Sequence, residues 1–473
     1  MPTKTMRRLL AAFLLAAPTI AAAQPQLRVE PFLFELADGT KLPAERGRML
    51  VAEDRNDPKS RKIEIGFLRL RSTSPRPGAP LVYLAGGPGG SGVQALRGAR
   101  QPVFLALREA GDVIALDQRG VGWSNHIPPC TAERPLDPAK VLSEATLTAY
   151  YRETLAGCLP RWRAAGVAVN GYTTEQNAAD LEDLRRGLGA RKIDLWGISY
   201  GTHLAMAAMR RFPRSIGRVA LASAEGMDQT VKLPAHVDAS YARIEAAAGI
   251  PLTQLMRRVN ARFDAEPQLF AFKSPDGTER RIRADSFPLR MLAGILPKNP
   301  DGIPQLAGAY AALDAGQTAP LAPQLWDYFY ARPLTMSGMT ELMDISSGIS
   351  APRLALVERQ ARASLLGSAV NFPMPQLRGT VPGIDLGDRF RREIRSRHPV
   401  LLLAGDLDVR TPLEEQEAAT AGLRNLHRVL VRNGGHDLFE AHPDVPALLL
   451  AFFKGRPVTT TELQLPAPRL PGR

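Results

Sequence analysis

Six short apolar runs set the limits on how this chain can fold. They lie at residues 81–84, 113–116, 193–196, 218–221, 400–404 and 427–431, and most end in a Gly-rich or acidic turn. Runs of this length suit strands and are too short for buried helices. Strands apolar at nearly every position bury both faces, which is the situation inside a parallel sheet. Helical segments separate many of the runs. In residues 173–188, Thr173 and Gln176 can form a capping box, Ala178, Leu181, Leu184 and Leu188 share one face, and Gly189 ends the helix. The pattern predicts an α/β fold built on a mostly parallel, doubly wound sheet.

Two stretches depart from that rhythm. Residues 27–71 alternate: Ile63, Ile65 and Phe67 fall on one face, then Leu68 and Leu70 on the other. This predicts an antiparallel hairpin leading into the sheet, with a bulge near Phe67. Between residues 229 and 395 the strand–helix alternation stops. Amphipathic helical patches, many prolines and an aromatic cluster at Trp326, Tyr328, Phe329 and Tyr330 predict a largely helical cap inserted into the core. The expected division is a core at 24–228 and 396–456, a cap at 229–395, and a loosely held Pro-rich tail at 457–473.

Residues 1–23 have the marks of a signal peptide. Lys4, Arg7 and Arg8 precede the apolar run from Leu9 to Leu15, and Ala21, Ala22 and Ala23 suit a signal peptidase. The expected mature start is Gln24, outside the cytoplasm, in the periplasm or secreted, with no membrane-spanning segment. In an exported chain the two cysteines, Cys130 and Cys158, are expected to form a disulfide. The formal charge is +13, and losing Lys4, Arg7 and Arg8 leaves +10. Basic clusters at Arg185-Arg186, Arg210-Arg211 with Arg214, and 389–397 are not interleaved with aromatics, so nucleic acid is not an expected partner. Electrostatic association with an anionic envelope is compatible with this charge.

The sharpest local motif is Gly197-Ile198-Ser199-Tyr200-Gly201, between the run at 193–196 and a helical segment reaching Met209. A serine hydroxyl is a weak nucleophile unless it is held beside a base. A tight strand-to-helix turn presents it, and small residues two before and two after relieve the crowded backbone. The helix start also brings backbone N–H groups to a developing oxyanion. The Gly-rich loop at 85–92 lacks the Lys-Ser/Thr of a phosphate loop. It instead suits an oxyanion hole, with Gly87 as donor (Gly86 the alternative) alongside Tyr200. Residues 117–124 read as a structural turn in which Asp117 and Arg119 brace neighbouring loops. The acid and base should follow in the order Ser, Asp, His. Asp406 and Asp408 compete for the acid in residues 405–412, and His436 is the candidate base in residues 433–437. His203, on the helix after the candidate nucleophile, reads as packing.

The motifs GGPGGSG (86–92), DQRGVGWS (117–124), GISYGT (197–202), GDLDVRTP (405–412) and GGHD (434–437) together resemble the proline iminopeptidase and tripeptidyl aminopeptidase family of α/β-hydrolases. The resemblance spans most of the chain outside the cap and implies an α/β-hydrolase fold. It selects Asp408 as the acid and supports pairing of Cys130 with Cys158. Ala85 stands where iminopeptidases often carry His, and Tyr200 where they often carry Trp, which leans toward the secreted tripeptidyl-type branch. A Ser199–Asp408–His436 triad with no cofactor and no metal is therefore expected, acting on a peptide or small acyl substrate. An aminopeptidase also needs a carboxylate for the free α-ammonium. Glu225 is the first candidate, with Glu341 and Asp344 in the cap next, against the simpler reading of all three as surface or capping acids. Two other readings stay open: an esterase or lipase-like acyl hydrolase, and a non-catalytic binding protein on the same scaffold.

Overall fold

Every one of the six apolar runs becomes a strand of a single ten-stranded sheet in the computed structural model, which describes residues 26–469. The expected signal peptide at 1–23 lies outside the described residues. Numbered along the chain, the strands are β1 Gln26–Glu35, β2 Lys41–Ala52, β3 Lys62–Leu70, β4 Leu81–Leu84, β5 Val113–Leu116, β6 Ile193–Ser199, β7 Ile216–Ala224, β8 Val400–Gly405, β9 Leu426–Arg432 and β10 Glu462–Gln464. Their spatial order is β1-β2-β3-β5-β4-β6-β7-β8-β9-β10. The first three strands and the β3–β5 pair are antiparallel, and every later pair is parallel.

The strands are apolar because alternate residues feed two different cores. Val82, Leu84, Ile114, Leu116, Leu402 and Ala404 face one core, with helices Glu144–Ala164, Thr174–Gly187 and Tyr200–Arg211. Leu81, Tyr83, Val113, Ala115, Leu401 and Leu403 face the other, with helices Gln101–Leu107 and Val445–Phe453. Helices on both faces of the sheet make it doubly wound. Each large apolar side chain fully buried this way contributes about 1.5–3 kcal/mol. Thr173 caps its helix as expected, accepting from Gln176 N at 3.3 Å, while the Gln176 side chain turns to Asp54 and Arg55.

Two local expectations change. No bulge interrupts β3 near Phe67: its register with β2 runs unbroken from Lys62 to Arg69. The apolar alternation shifts because β3 is buried on both faces, with Phe67 in one core and Leu68 in the other. The tail is not loose throughout either. Residues 462–464 extend the sheet as β10, pairing with the exposed edge of β9 and burying Leu463.

Between β7 and β8 the chain forms eight α-helices with one antiparallel hairpin, Gln268–Lys273 with Glu279–Ala284. These enclose a third core that includes Tyr241, Met256, Phe263, Phe270 and Leu325. Trp326 and Tyr330 of the aromatic cluster stack at 5.3 Å between centroids. Cys130 and Cys158 form a disulfide, joining a short strand to helix Glu144–Ala164. Among the described residues, no helix is long and apolar enough to cross a membrane.

Candidate active site

Ser199 ends β6 and immediately precedes helix Tyr200–Arg211, at φ 56° and ψ −128°. A non-glycine residue in that region carries strain of order 1–3 kcal/mol, held in place by its surroundings. The flanking glycines are what allow it. A Cβ on Gly201 would lie 2.1 Å from Leu84 O, and one on Gly197 would lie 2.7 Å from Gly201 O. The turn therefore presents the Ser199 side chain at the carboxyl edge of the sheet, in line with Ala224 of β7. Thr202 Oγ1 closes the turn by donating to Ser199 O at 2.6 Å.

The Gly-rich loop rests on this serine. A Cβ on Gly86 would come within 3.0 Å of Ser199 Cβ. The loop is buttressed from below: Gln118 Nε2 donates to Ala85 O at 2.9 Å, and Asn177 Nδ2 donates to Gln118 Oε1 at 2.7 Å. Asp117 accepts from Ser91 Oγ at 2.6 Å and from Trp123 N at 2.7 Å, while buried Arg119 pairs with Asp180 at 2.7 Å. Both act as braces. From above, Thr340 Oγ1 donates to Pro88 O at 3.0 Å. Thr340 belongs to helix Met339–Ser347, which also receives the Tyr200 hydroxyl on Met343 Sδ at 3.3 Å. Gly86, the alternative donor, thus lies against Ser199 with Gly87 next to it in the chain, and the Tyr200 amide opens the helix that follows the serine.

Asp408, in the loop after β8, is fully buried. Its Oδ1 accepts from Arg410 N at 2.8 Å and Thr411 N at 2.9 Å. Its Oδ2 accepts from Thr411 Oγ1 at 2.6 Å and meets His436 Nδ1 at 2.9 Å. Burial pushes this carboxyl up, but the imidazole and the Thr411 hydrogen bonds outweigh it and hold it below the ordinary carboxylate value. Asp406 faces elsewhere, toward Arg432 at 3.7 Å. With Nδ1 committed to Asp408, Nε2 of His436 is the nitrogen left to take a proton. The His436 carbonyl accepts from Ser223 Oγ at 2.7 Å, and Ser223 adjoins Ala224, the partner of Ser199. The loops after β8 and β9 thus meet at the end of β7, the strand that pairs with the one ending in Ser199. His203 is buried, bonded to Gly226 O at 2.9 Å and Ser347 Oγ at 3.1 Å, and burial lowers its ring to about 4.

Residues 79–443 match the family described as alpha/beta hydrolase fold. The chain belongs to that family. Among curated proteins, this alpha/beta hydrolase is 32% identical over 196 residues to the tripeptidyl aminopeptidase of Streptomyces coelicolor, covering 38% of this chain and 35% of that one. It is 28% identical over 181 residues to the serine protease Hip1 of Mycobacterium tuberculosis, covering 36% and 34%. The alignments span about a third of the length of these relatives. Among solved structures, the proline iminopeptidase of Mycobacterium smegmatis aligns with a TM-score of 0.40 at 16% identity, covering 83% of this chain and 95% of that one.

The carboxylates proposed for an ammonium have mixed surroundings. Glu225 is nearly buried and ion-paired with Lys232, whose Nζ also donates to Thr230 O at 2.8 Å. Glu341 Oε2 accepts from Gly338 N at 2.8 Å and Ser337 Oγ at 3.1 Å, capping its helix. Asp344, one turn further on, is pushed up to about 8 by burial and by the charge of Glu225, against the pull of Lys232. Sequence reasoning did not find Lys232, Thr411 or Ser223. Thr411 alone left a signal, three residues after the acid and next to Pro412. A cavity of about 660 Å³ is lined by Ile345, Val357, Asn371, Gln376 and Ile384 among others, but by none of Ser199, Asp408 or His436. It is joined to the Glu225 region through Asn371, whose side chain bonds the Lys232 amide at 2.7 Å and carbonyl at 2.8 Å.

Proposed function

We propose that this chain is an exported serine hydrolase, an aminopeptidase that releases N-terminal residues or short peptides through an acyl-enzyme on Ser199. The observation that carries the reading is the pairing of His436 with buried Asp408 at the strand ends that also hold Ser199. Asp408 keeps the proton on Nδ1, so Nε2 accepts the Ser199 proton as Oγ attacks the acyl carbonyl. The amides of Gly87 and Tyr200 receive the oxyanion. His436 then protonates the leaving amine, leaving an ester on Ser199. Water attacks that ester with His436 again as base, which restores the serine. No step calls on a cofactor.

Specificity for a free amino end rests on Glu225, Asp344 and Glu341. Asp344 feels the charges of Glu225 and Glu341 against those of Lys232 and Arg410, and Lys232 is already paired with Glu225. With its carboxyl pushed up to about 8, Asp344 favours the protonated form at neutral pH, and a substrate ammonium beside it would restore its charge. The productive pair carries one proton between Asp344 and an amino group titrating near 8. KM for free-amine substrates is therefore lowest near pH 8 and rises on either side. The relatives named as a tripeptidyl aminopeptidase and a serine protease support the peptidase reading. The basic, apolar start at 1–23 and the Cys130–Cys158 disulfide support export, and N-terminal sequencing of the exported protein should begin at Gln24.

The test is a matched panel of free and N-blocked peptidyl amides with short and long p-nitrophenyl esters. Cleavage of free amides alone is expected, and Ser199→Ala should lose on the order of a million-fold in kcat. Ester turnover without amide turnover would make the protein an esterase. No turnover, together with no labelling of Ser199 by a serine-reactive phosphonate, would make it a binding protein.

A further inference from the structure

The candidate base is held not only by the hydrolase sheet but by the segment inserted between β7 and β8. The His436 amide donates to Lys298 O at 2.7 Å and to Asn299 Oδ1 at 3.1 Å. The next amide, Asp437 N, donates to the same Asn299 Oδ1 at 3.0 Å, and Asn299 Nδ2 donates back to Asp437 Oδ2 at 2.8 Å. Lys298 Nζ and Arg100 add ion pairs to Asp437 at 3.0 and 2.9 Å. The approach requires Gly435, since a Cβ there would lie 2.4 Å from Lys298 O and 2.6 Å from Asn299 Cα.

The acid loop is gripped by the same insertion. Ser240 Oγ, fully buried on helix Pro234–Ala248, donates to Asp408 O at 2.8 Å. Arg243 Nε donates to Asp406 O at 2.6 Å. The side chains of Leu407 and Val409, on either side of Asp408, join the third core rather than either face of the sheet.

From this arrangement we infer that Asn299 is a positioning residue for His436, and that the inserted segment sets the alignment of the acid–base pair with Ser199. The inference rests on the functional reading above. Asp408 fixes the imidazole at Nδ1 only, which leaves the ring free to pivot about that contact. Fixing the His436 main chain at both ends removes the pivot: Ser223 of the core holds the carbonyl, and Lys298 with Asn299 hold the amide. The segment that bounds the substrate region and the segment that aims the base are then one piece of structure. A displacement of Lys298 and Asn299 lowers turnover even though neither touches substrate.

The experiment measures kcat, KM and the rate of phosphonate labelling at Ser199 for four proteins: wild type, Asn299→Ala, Ser240→Ala and Asn260→Ala. Asn260 sits in the core of the insertion, bonded to Leu365 O at 3.2 Å and to the Tyr310 hydroxyl at 3.1 Å, and touches neither loop. Misplacement of a reacting group by about 1 Å costs up to roughly 100-fold. Asn299→Ala should accordingly lose about 10- to 100-fold in both kcat and labelling rate, with KM within about two-fold of wild type. Ser240→Ala should show the same signature more weakly, and stands in if Asn299→Ala fails to fold. Asn260→Ala should lower the melting temperature and leave kcat unchanged. Wild-type kcat in Asn299→Ala, or in Ser240→Ala should Asn299→Ala not fold, would overturn the inference. So would an equal loss in Asn260→Ala, which would trace the effect to a loosened insertion. Failure of wild type itself to label at Ser199 would instead refute the functional reading beneath it.

Discussion

Replacing Asp408 with Asn should inactivate the site without removing any atom from it, because the hydrogen bonds around Asp408 dictate how an amide must sit. Oδ1 receives two backbone donors, Arg410 N and Thr411 N, so the NH2 group of the new amide cannot occupy that position. It must take the place of Oδ2, where it faces Thr411 Oγ1 and His436 Nδ1. The threonine hydroxyl can rotate to accept. The imidazole can accept only by moving its proton to Nε2, and in that tautomer it cannot take the proton of Ser199. In a serine triad this inversion lowers kcat about 10⁴-fold, which corresponds to about 5.4 kcal/mol of barrier. Folding should be little affected, since the amide fills the same volume and satisfies the same backbone donors. The assay is phosphonate labelling and amide turnover of Asp408→Asn beside Asp406→Asn, with thermal melts of both. Asp406→Asn should keep kcat, because its carboxylate faces Arg432 rather than His436. More than a tenth of wild-type kcat in Asp408→Asn, or an equal loss in Asp406→Asn, would refute the assignment of the acid.

Three further outcomes follow from the same structure. Replacing Cys130 and Cys158 together with Ser should lower stability by about 3–4 kcal/mol; a denaturation midpoint unchanged by reductant would contradict the disulfide. Gly201→Ala should abolish turnover and destabilise by about 1–3 kcal/mol, because its Cβ meets Leu84 O at 2.1 Å; an active, soluble variant would mean the turn is built differently. Asp344 titrates near 8 when folded and near 3.9 when unfolded, so the folded state holds the extra proton between those values. Stability should fall as pH rises through that window and level off above it. The melting advantage of Asp344→Asn over wild type should therefore grow from pH 5 to pH 8, and an equal advantage at both would refute a raised carboxyl at Asp344.

What could be read from the sequence divides along physical lines. The inner parallel strands were legible because nearly all of their residues are buried, so apolarity alone marks them: Leu81 and Val82 point to opposite cores, yet both are excluded from water. The same double burial misled at β3, where a change of apolar face suggested a bulge that the register does not contain. The strand at 462–464 was hidden because its pairing depends on the open edge of β9, which no local pattern records. Ser199 could be found because a strained turn between strand and helix needs glycine at 197 and 201, and that need is written locally.

The insertion marks where local reading stops. Asn299 reaches His436 across 137 residues and Ser240 reaches Asp408 across 168, and neither position carries a motif. A hydrogen bond from an amide side chain to a backbone group imposes no pattern on neighbouring residues, unlike a strand face or a capping box. Gly435 does leave a mark, but it reads as part of a glycine turn, while the group it makes room for belongs to a segment that looks like cap alone. Such a chain therefore shows in its sequence the residues that could react, and conceals those that aim them. If the acid and base loops drew their positions from the sheet only, the insertion could be exchanged between relatives to change the substrate at constant kcat. With Ser240, Lys298 and Asn299 in the contacts observed, an exchange that omits them should move the substrate preference and lower kcat together.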